Sequence, residues 1–147
     1  MSWYPHVTVA TIVENNGKFL FVEEIANGRR VLNQPAGHLE RDETLIAAAR
    51  REVLEETQWE VSIDGVVGLG LYRAPANGVT YQRTCFFGRP LSFLDSASRD
   101  PDIQEVLWLS LDELRQQQDR LRSPLVLDNL EQYLAGQRYP LSMIFDS

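Results

Sequence analysis

Residues 35–59, PAGHLERDETLIAAARREVLEETQW, constrain this chain more than any other stretch, because they join a tight turn to a helix carrying too much charge of one sign. In Pro35-Ala36-Gly37, proline fixes its own φ and glycine accepts backbone conformations that a side chain would forbid. Asp42, Glu43 and Thr44 then offer capping oxygens and negative charge to a helix N-terminus. Leu45, Ile46, Ala49 and Val53 recur at helical spacing and make one apolar face. Beside it, at about 100° per residue, Glu52, Glu55 and Glu56 fall within about a quarter to a third of the circumference. Like charges three or four apart on a helix cost about 0.2–0.5 kcal/mol per pair, so the strip is mildly destabilising unless something neutralises it. A hard divalent cation would do so, since Mg²⁺ takes oxygen ligands and is held by a few carboxylates together with substrate phosphates. Taken alone, E-x-x-E-E fits a solvated acidic face better than a metal site.

The segments around this helix read mainly as sheet. From His6 to Val13 alternation and β-branched residues predict a strand, and Glu14-Asn15-Asn16-Gly17 turns it into a second, Phe19 to Val22. After the Asn27-Gly28 turn, Val31 to Gln34 leads as a short strand into Pro35, so the helix is delivered from a sheet edge. His38 follows the turn glycine and reads most simply as an exposed residue, His6 as a strand residue with a local hydrogen bond. Val61 to Tyr72 reads as one or two strands bent at Gly65, Gly68 or Gly70. Val79 to Phe87 follows as a strand with Tyr81, Arg83, Cys85 and Phe87 on one face and Thr80, Gln82, Thr84 and Phe86 on the other. Arg73 and Arg83 are candidates for phosphate binding, and Tyr72, Tyr81 and Phe86 for stacking on a base, with ordinary packing the alternative for each. Leu91 to Pro101 reads as a loop, then Val106 to Leu109 as a strand. Leu111 to Leu121 reads as a polar helix capped by Ser110, and Ser123-Pro124 as a clean cap for a helix stopped by Gly136. The last residues, GQRYPLSMIFDS, carry no clear periodicity. These elements predict an α/β (α+β) fold, an α/β/α sandwich in which a mixed β-sheet carries helices on both faces.

With 147 residues, 44% of them hydrophobic, the chain suits one domain over residues 1–147 with a real core. A net charge of −7 disfavours nucleic acid and anionic membrane as partners. Cys85 is the only cysteine, which excludes an intramolecular disulfide and reads as a buried thiol. Without a secretory signal pattern or an apolar run of membrane-spanning length, the expected location is the cytoplasm.

The acidic stretch resembles the signature of the Nudix hydrolases: Gly, five residues, Glu, seven residues, then Arg-Glu-U-x-Glu-Glu-x-Gly-U with U bulky and apolar. Gly37, Glu43, Arg51, Glu52, Val53, Glu55 and Glu56 stand at matching positions with the spacing kept. Gln58 stands where the family has Gly, which puts the helix end in question, and Trp59 takes the last apolar position. The resemblance implies a Nudix-type sandwich and assigns roles residue by residue. Glu52, Glu55 and Glu56 are implied as ligands of Mg²⁺, with Mn²⁺ as a substitute, and Glu52 also as a base toward the attacking water. The Ala36 carbonyl is implied to complete the metal shell, and Arg51 and Glu43 to orient the ligand helix. An acid before the last strand, Asp102 or Glu105, is implied to reach back to the metal.

Outside the box, HVTVA, NQPAGHLE with DETL, LRSP and GQRYPL narrow the resemblance to one bacterial branch of the family. That implies release of phosphate from nucleoside tri- and diphosphates and hydrolysis of thiamine pyrimidine (hydroxymethylpyrimidine) pyrophosphate, by a monomer or homodimer. The alternatives are an ADP-ribose or nucleotide-sugar pyrophosphatase and a non-catalytic nucleotide-sensing module.

Overall fold

The computed structural model describes residues 2–146; Met1 and Ser147, the ends of the expected domain, lie outside the described residues. The elements run β1 (His6–Asn15), β2 (Lys18–Ala26), β3 (Arg29–Asn33), β4 (Ala36–His38), α1 (Leu45–Thr57), β5 (Trp59–Arg73), β6 (Thr80–Phe93), β7 (Ile103–Leu109), α2 (Leu111–Arg115) and α3 (Pro124–Leu134). Short 3₁₀ turns lie at Gln118–Arg120 and Leu141–Met143.

The strands form a mixed seven-stranded sheet in which the path β3-β2-β1-β6-β5 is joined by β4 on β1 and β7 on β2. β1 runs parallel to β6 from His6 opposite Tyr81 to Val13 opposite Gly88. Its other edge forks: Thr8 to Ala10 pair with β4, while Glu14 and Asn15 pair with β2. The chain crosses this fork through Gln34 and Pro35, whose carbonyl accepts from the Thr11 N–H at 3.1 Å.

Alternation along β1 decides what each face of the sheet covers. Val9 packs with Ala48 and Ala49 of α1, and Val13 with Val53. Ala10 and Ile12 point the other way, into a core with Leu114 of α2 and Val126, Leu130 and Tyr133 of α3. The sheet is therefore covered on both faces, as its pattern predicts. Because Ala48 and Ala49 are completely buried, α1 lies close against the strands, and a larger side chain there would push the acidic strip outward at a cost of about 1–3 kcal/mol.

Several local expectations are corrected. Thr44 alone caps α1, accepting from the Ala47 N–H at 3.0 Å, whereas Asp42 sits at φ 62 before the helix and Glu43 turns toward Arg51. The αL position at the end of α1 is kept by Gln58 itself, at φ 67, with its N–H bonded to the Leu54 carbonyl. Val61 to Tyr72 does belong to one long strand with the expected irregularities at Ile63/Gly65 and Val66/Gly68; a further shift lies at Glu60/Val61, and Gly70 pairs regularly. β6 continues to Phe93, so the loop begins later than its composition suggests. The polar helix after Ser110 ends at Arg115, and the Ser123 hydroxyl makes no capping bond to α3.

Candidate active site

The turn and α1 meet where β1 forks. Gly37 is required by proximity, because a Cβ there would land on the Glu52 carboxylate. Ala36 lies opposite Ala10, between the Thr11–Pro35 and Val7–Leu39 hydrogen bonds, so the two-residue period of the ladder turns its N–H and C=O away from β1. The N–H accordingly donates to Glu56 Oε1 at 2.9 Å.

Arg51 organises the outer part of the cluster. Its guanidinium holds Glu43 bidentately, Nε to Oε2 at 2.6 Å and Nη2 to Oε1 at 2.9 Å, a planar fork matched to a carboxylate. Nη1 reaches Glu52 at 2.8 Å and Glu55 at 3.1 Å, and Nη2 the His38 carbonyl at 3.1 Å. Hydrogen bonding to Arg51 holds the Glu43 carboxyl below its ordinary range, and Glu43 in turn raises the pKa of Arg51.

The inner part lacks such compensation. Glu56 is only 6% exposed; burial, with Glu24, Glu52 and Asp100 nearby, pushes its carboxyl up to about 9 against the lowering effect of the Ala36 N–H. Burial also raises Glu52, despite Arg51. Among the described residues no three His, Cys, Asp or Glu side chains are already gathered as a metal cage, since Arg51 draws Glu52 and Glu55 while Ala36 holds Glu56. The donor set is nevertheless all oxygen and carries more buried negative charge than Arg51 can balance. Those properties fit a hard divalent cation.

The acids proposed before the last strand divide differently. Glu105 pairs opposite Glu23 and shares the sheet face of Phe21 and Leu107, the face away from α1. Asp102 is exposed in a turn, its N–H bonded to Asp100 Oδ1 at 2.9 Å. The structure brings neither to the strip; it brings Asp100, whose N–H donates to the Glu55 carbonyl at 2.8 Å, and Glu24 of β2.

Beside the strip opens a cavity of about 330 Å³, with Ala36, Gly37, His38 and Glu24 along one wall and Tyr72, Tyr81, Arg83 and Arg122 among the other lining residues. His38 stands edge-on to His6 and Tyr81, and burial lowers its pKa. Phe86 is fully buried in the core against α1, so it is unavailable to stack on a ligand. Arg73, opposite Thr80 near the end of the β5–β6 ladder, does not line the cavity. Cys85 is buried, and that burial pushes its thiol up to about 12, against nucleophilic use.

Arg83 is held by residues that sequence reasoning passed over. It donates to Asn129, Asn33 and Gln34, and Gln34 donates onward to the Val126 carbonyl at 2.8 Å. Asn129 did leave a signal, a polar residue between Val126, Leu130 and Tyr133 on the buried face of α3. Gln34 and Asn33 left none beyond their place before the turn proline.

Comparison with known proteins agrees with this geometry. The NUDIX domain family matches residues 4–130. Phosphatase NudJ from Escherichia coli strain K12 and its counterpart from Shigella flexneri are each 44% identical over 142 residues, covering 97% of this chain and 92% of theirs. A NUDIX hydrolase from Nitrosomonas europaea superposes with a TM-score of 0.95 at 43% identity, covering 98% of both chains. The buried glutamates of α1, the glycine turn that admits them and these relatives lead to one conclusion: the chain belongs to the Nudix family, as a NudJ-like hydrolase of phosphorus anhydrides.

Proposed function

We propose that this hydrolase uses Mg²⁺, or Mn²⁺ in its place, to release phosphate from nucleoside tri- and diphosphates and to cleave hydroxymethylpyrimidine pyrophosphate in the cytoplasm. The single observation that carries the metal dependence is Glu56, a nearly buried carboxylate beside Glu52 whose one donor among the described residues is the Ala36 N–H. The substrate class draws support from the 44% identity to the NudJ phosphatases. A cavity of about 330 Å³ suits one nucleoside or pyrimidine better than a dinucleotide, being at the small end of ligand pockets.

Glu52, Glu55, Glu56 and the Ala36 carbonyl would hold the cation. When bound, Mg²⁺ neutralises charge developing on phosphate oxygens and makes water more acidic. The chain does the rest. Arg51, fixed by Glu43, keeps the Glu52 carboxylate in one orientation, from which it would accept a proton from the attacking water. Tyr72 and Tyr81 present rings to the part of the substrate that does not react, and Arg83 presents charge.

Phosphate and pyrophosphate release from nucleoside di- and triphosphates, hydroxymethylpyrimidine pyrophosphate and ADP-ribose, with Mg²⁺ and with chelator, tests this reading. Metal-dependent phosphate release from the mononucleotide or pyrimidine substrates is expected. Turnover confined to ADP-ribose, or binding without turnover across the panel, would overturn it.

A further inference from the structure

One wall of the cavity holds a charge to which no carboxylate among the described residues hydrogen-bonds. Arg83 is 7% exposed, yet its guanidinium donates only to neutral amide oxygens: Nε to Asn129 at 3.0 Å, Nη2 to Gln34 at 2.6 Å and Nη1, more weakly, to Asn33 at 3.4 Å. Buried arginines are ordinarily paired with carboxylates, because taking an ion out of water is costly unless an opposite charge compensates it. Glu24 is the nearby acid, and Arg122 already engages it at 2.6 Å. A guanidinium carries five N–H groups, so one on each Nη remains for a further acceptor. The amides fix the plane of the group without cancelling its charge. Gln34 is itself locked by the Val126 carbonyl and Asn129 by Gln132, so the cage is rigid before any ligand arrives.

The same wall carries a second positive feature. Helix α3 starts there, with Ser123 and Leu125 lining the cavity, and the Ser123 hydroxyl leaves the helix start uncapped. We infer that Arg83 and the start of α3 form a built receptor for a phosphate oxyanion, separate from the box glutamates, which holds a phosphate group that the metal site does not. Naming that oxyanion as the substrate's rests on the phosphohydrolase reading; the existence of the receptor does not.

The decisive variant is Asn129→Asp, which places the missing carboxylate beside Arg83 with almost no change of shape. Binding of inorganic phosphate in chelator, followed by calorimetry, should be measurable for the wild type and at least tenfold weaker for Asn129→Asp, whose Tm should equal or exceed the wild-type value. In Mg²⁺ turnover the same variant should raise KM far more than it lowers kcat if the oxyanion is the substrate's. Weaker product inhibition by phosphate at unchanged KM would assign it to the released group. Arg83→Lys should keep part of the affinity that Arg83→Gln loses. Failure of the wild type to bind phosphate, or phosphate affinity within twofold of wild type in a folded Asn129→Asp protein, would overturn the inference. Loss of hydrolysis with intact, Asn129→Asp-sensitive phosphate binding would overturn only the proposed reaction.

Discussion

The two sides of the cavity solve opposite problems with the same physics. Along α1, carboxylates outnumber the one guanidinium among them, and Glu56 is left buried with a backbone N–H as its donor. Around Arg83 a guanidinium is buried among amides with no free carboxylate. Each side is incomplete in charge, and the metal-bound phosphate chain proposed above would be complementary to both. The difference lies in construction. The acidic side is built within one helix and the turn before it, whereas the cationic side joins β3, β6 and α3.

The largest expected effect comes from the acidic side. Glu56→Gln should lower kcat by roughly a thousandfold, equivalent to about 4 kcal/mol of transition-state stabilisation. In chelator it should also raise stability, and the pH dependence has a definite sign. Because the folded-state pKa is raised to about 9, the unfolded chain releases this proton first, and wild-type stability falls as pH rises from about 4.5 toward 9. The advantage of Glu56→Gln should therefore be absent below about pH 4.5 and grow by no more than about 1.4 kcal/mol per pH unit above it. A thermal melt series in chelator that shows no such growth would mean that Glu56 is not an uncompensated charge, and the contrast between the two sides would lose its first half.

Next in size is Arg51→Gln, which leaves Glu43, Glu52 and Glu55 without their common partner. Turnover should fall about 10- to 100-fold through misoriented ligands. Chemical denaturation should show a loss of about 1–3 kcal/mol, the worth of hydrogen bonds to charged groups. Unchanged kcat would restrict Arg51 to stability.

Gln58→Gly addresses the end of the same helix. Relieving a side chain at φ 67 should gain about 1 kcal/mol in denaturant midpoint analysis, with turnover preserved. A loss instead would show that the Gln58 amide, bonded to the Ala97 carbonyl at 2.8 Å, outweighs the backbone strain. The smallest effect is expected from Glu105→Gln: turnover within about twofold of wild type, as is usual for surface substitutions away from a site. A large loss would place a catalytic acid on the sheet face opposite α1 and break the division between the two sides.

This contrast also explains what was legible in the sequence. Arg51, Glu52, Glu55 and Glu56 share one helix, and Gly37 and Glu43 lie in the turn that leads into it, so every contact of this group closes within about 20 residues of chain. Thr44 rather than Asp42 as the cap, and Gln58 holding the αL position, are single-residue outcomes that propensity does not resolve. Glu105 lies inside β7 in unbroken register with Leu107 and Leu109, and alternation groups it with those residues without saying which of the two covered faces α1 occupies. Phe86 is a stacking candidate by residue type alone, since alternation puts it on the face opposite Tyr81 and Arg83; both faces of β6 are covered, so that alternation separates one core from another rather than core from solvent. Arg83 could be suspected. Its amide cage could not, because each partner comes from 46 to 50 residues away.

That separation also sets an order of assembly during synthesis. The segment that carries the glutamates is complete once Trp59 has been made, but β1 then still lacks β6, the strand that covers its parallel edge. At about 5–20 residues per second, Asn129 leaves the ribosome several seconds later. A nascent chain thus passes through a stage in which the whole acidic segment has been made and the parallel edge of β1 has no partner. Pairing that edge closes a loop of about half the chain at once, a non-local step of the kind that slows folding, whereas the acidic helix forms from local contacts.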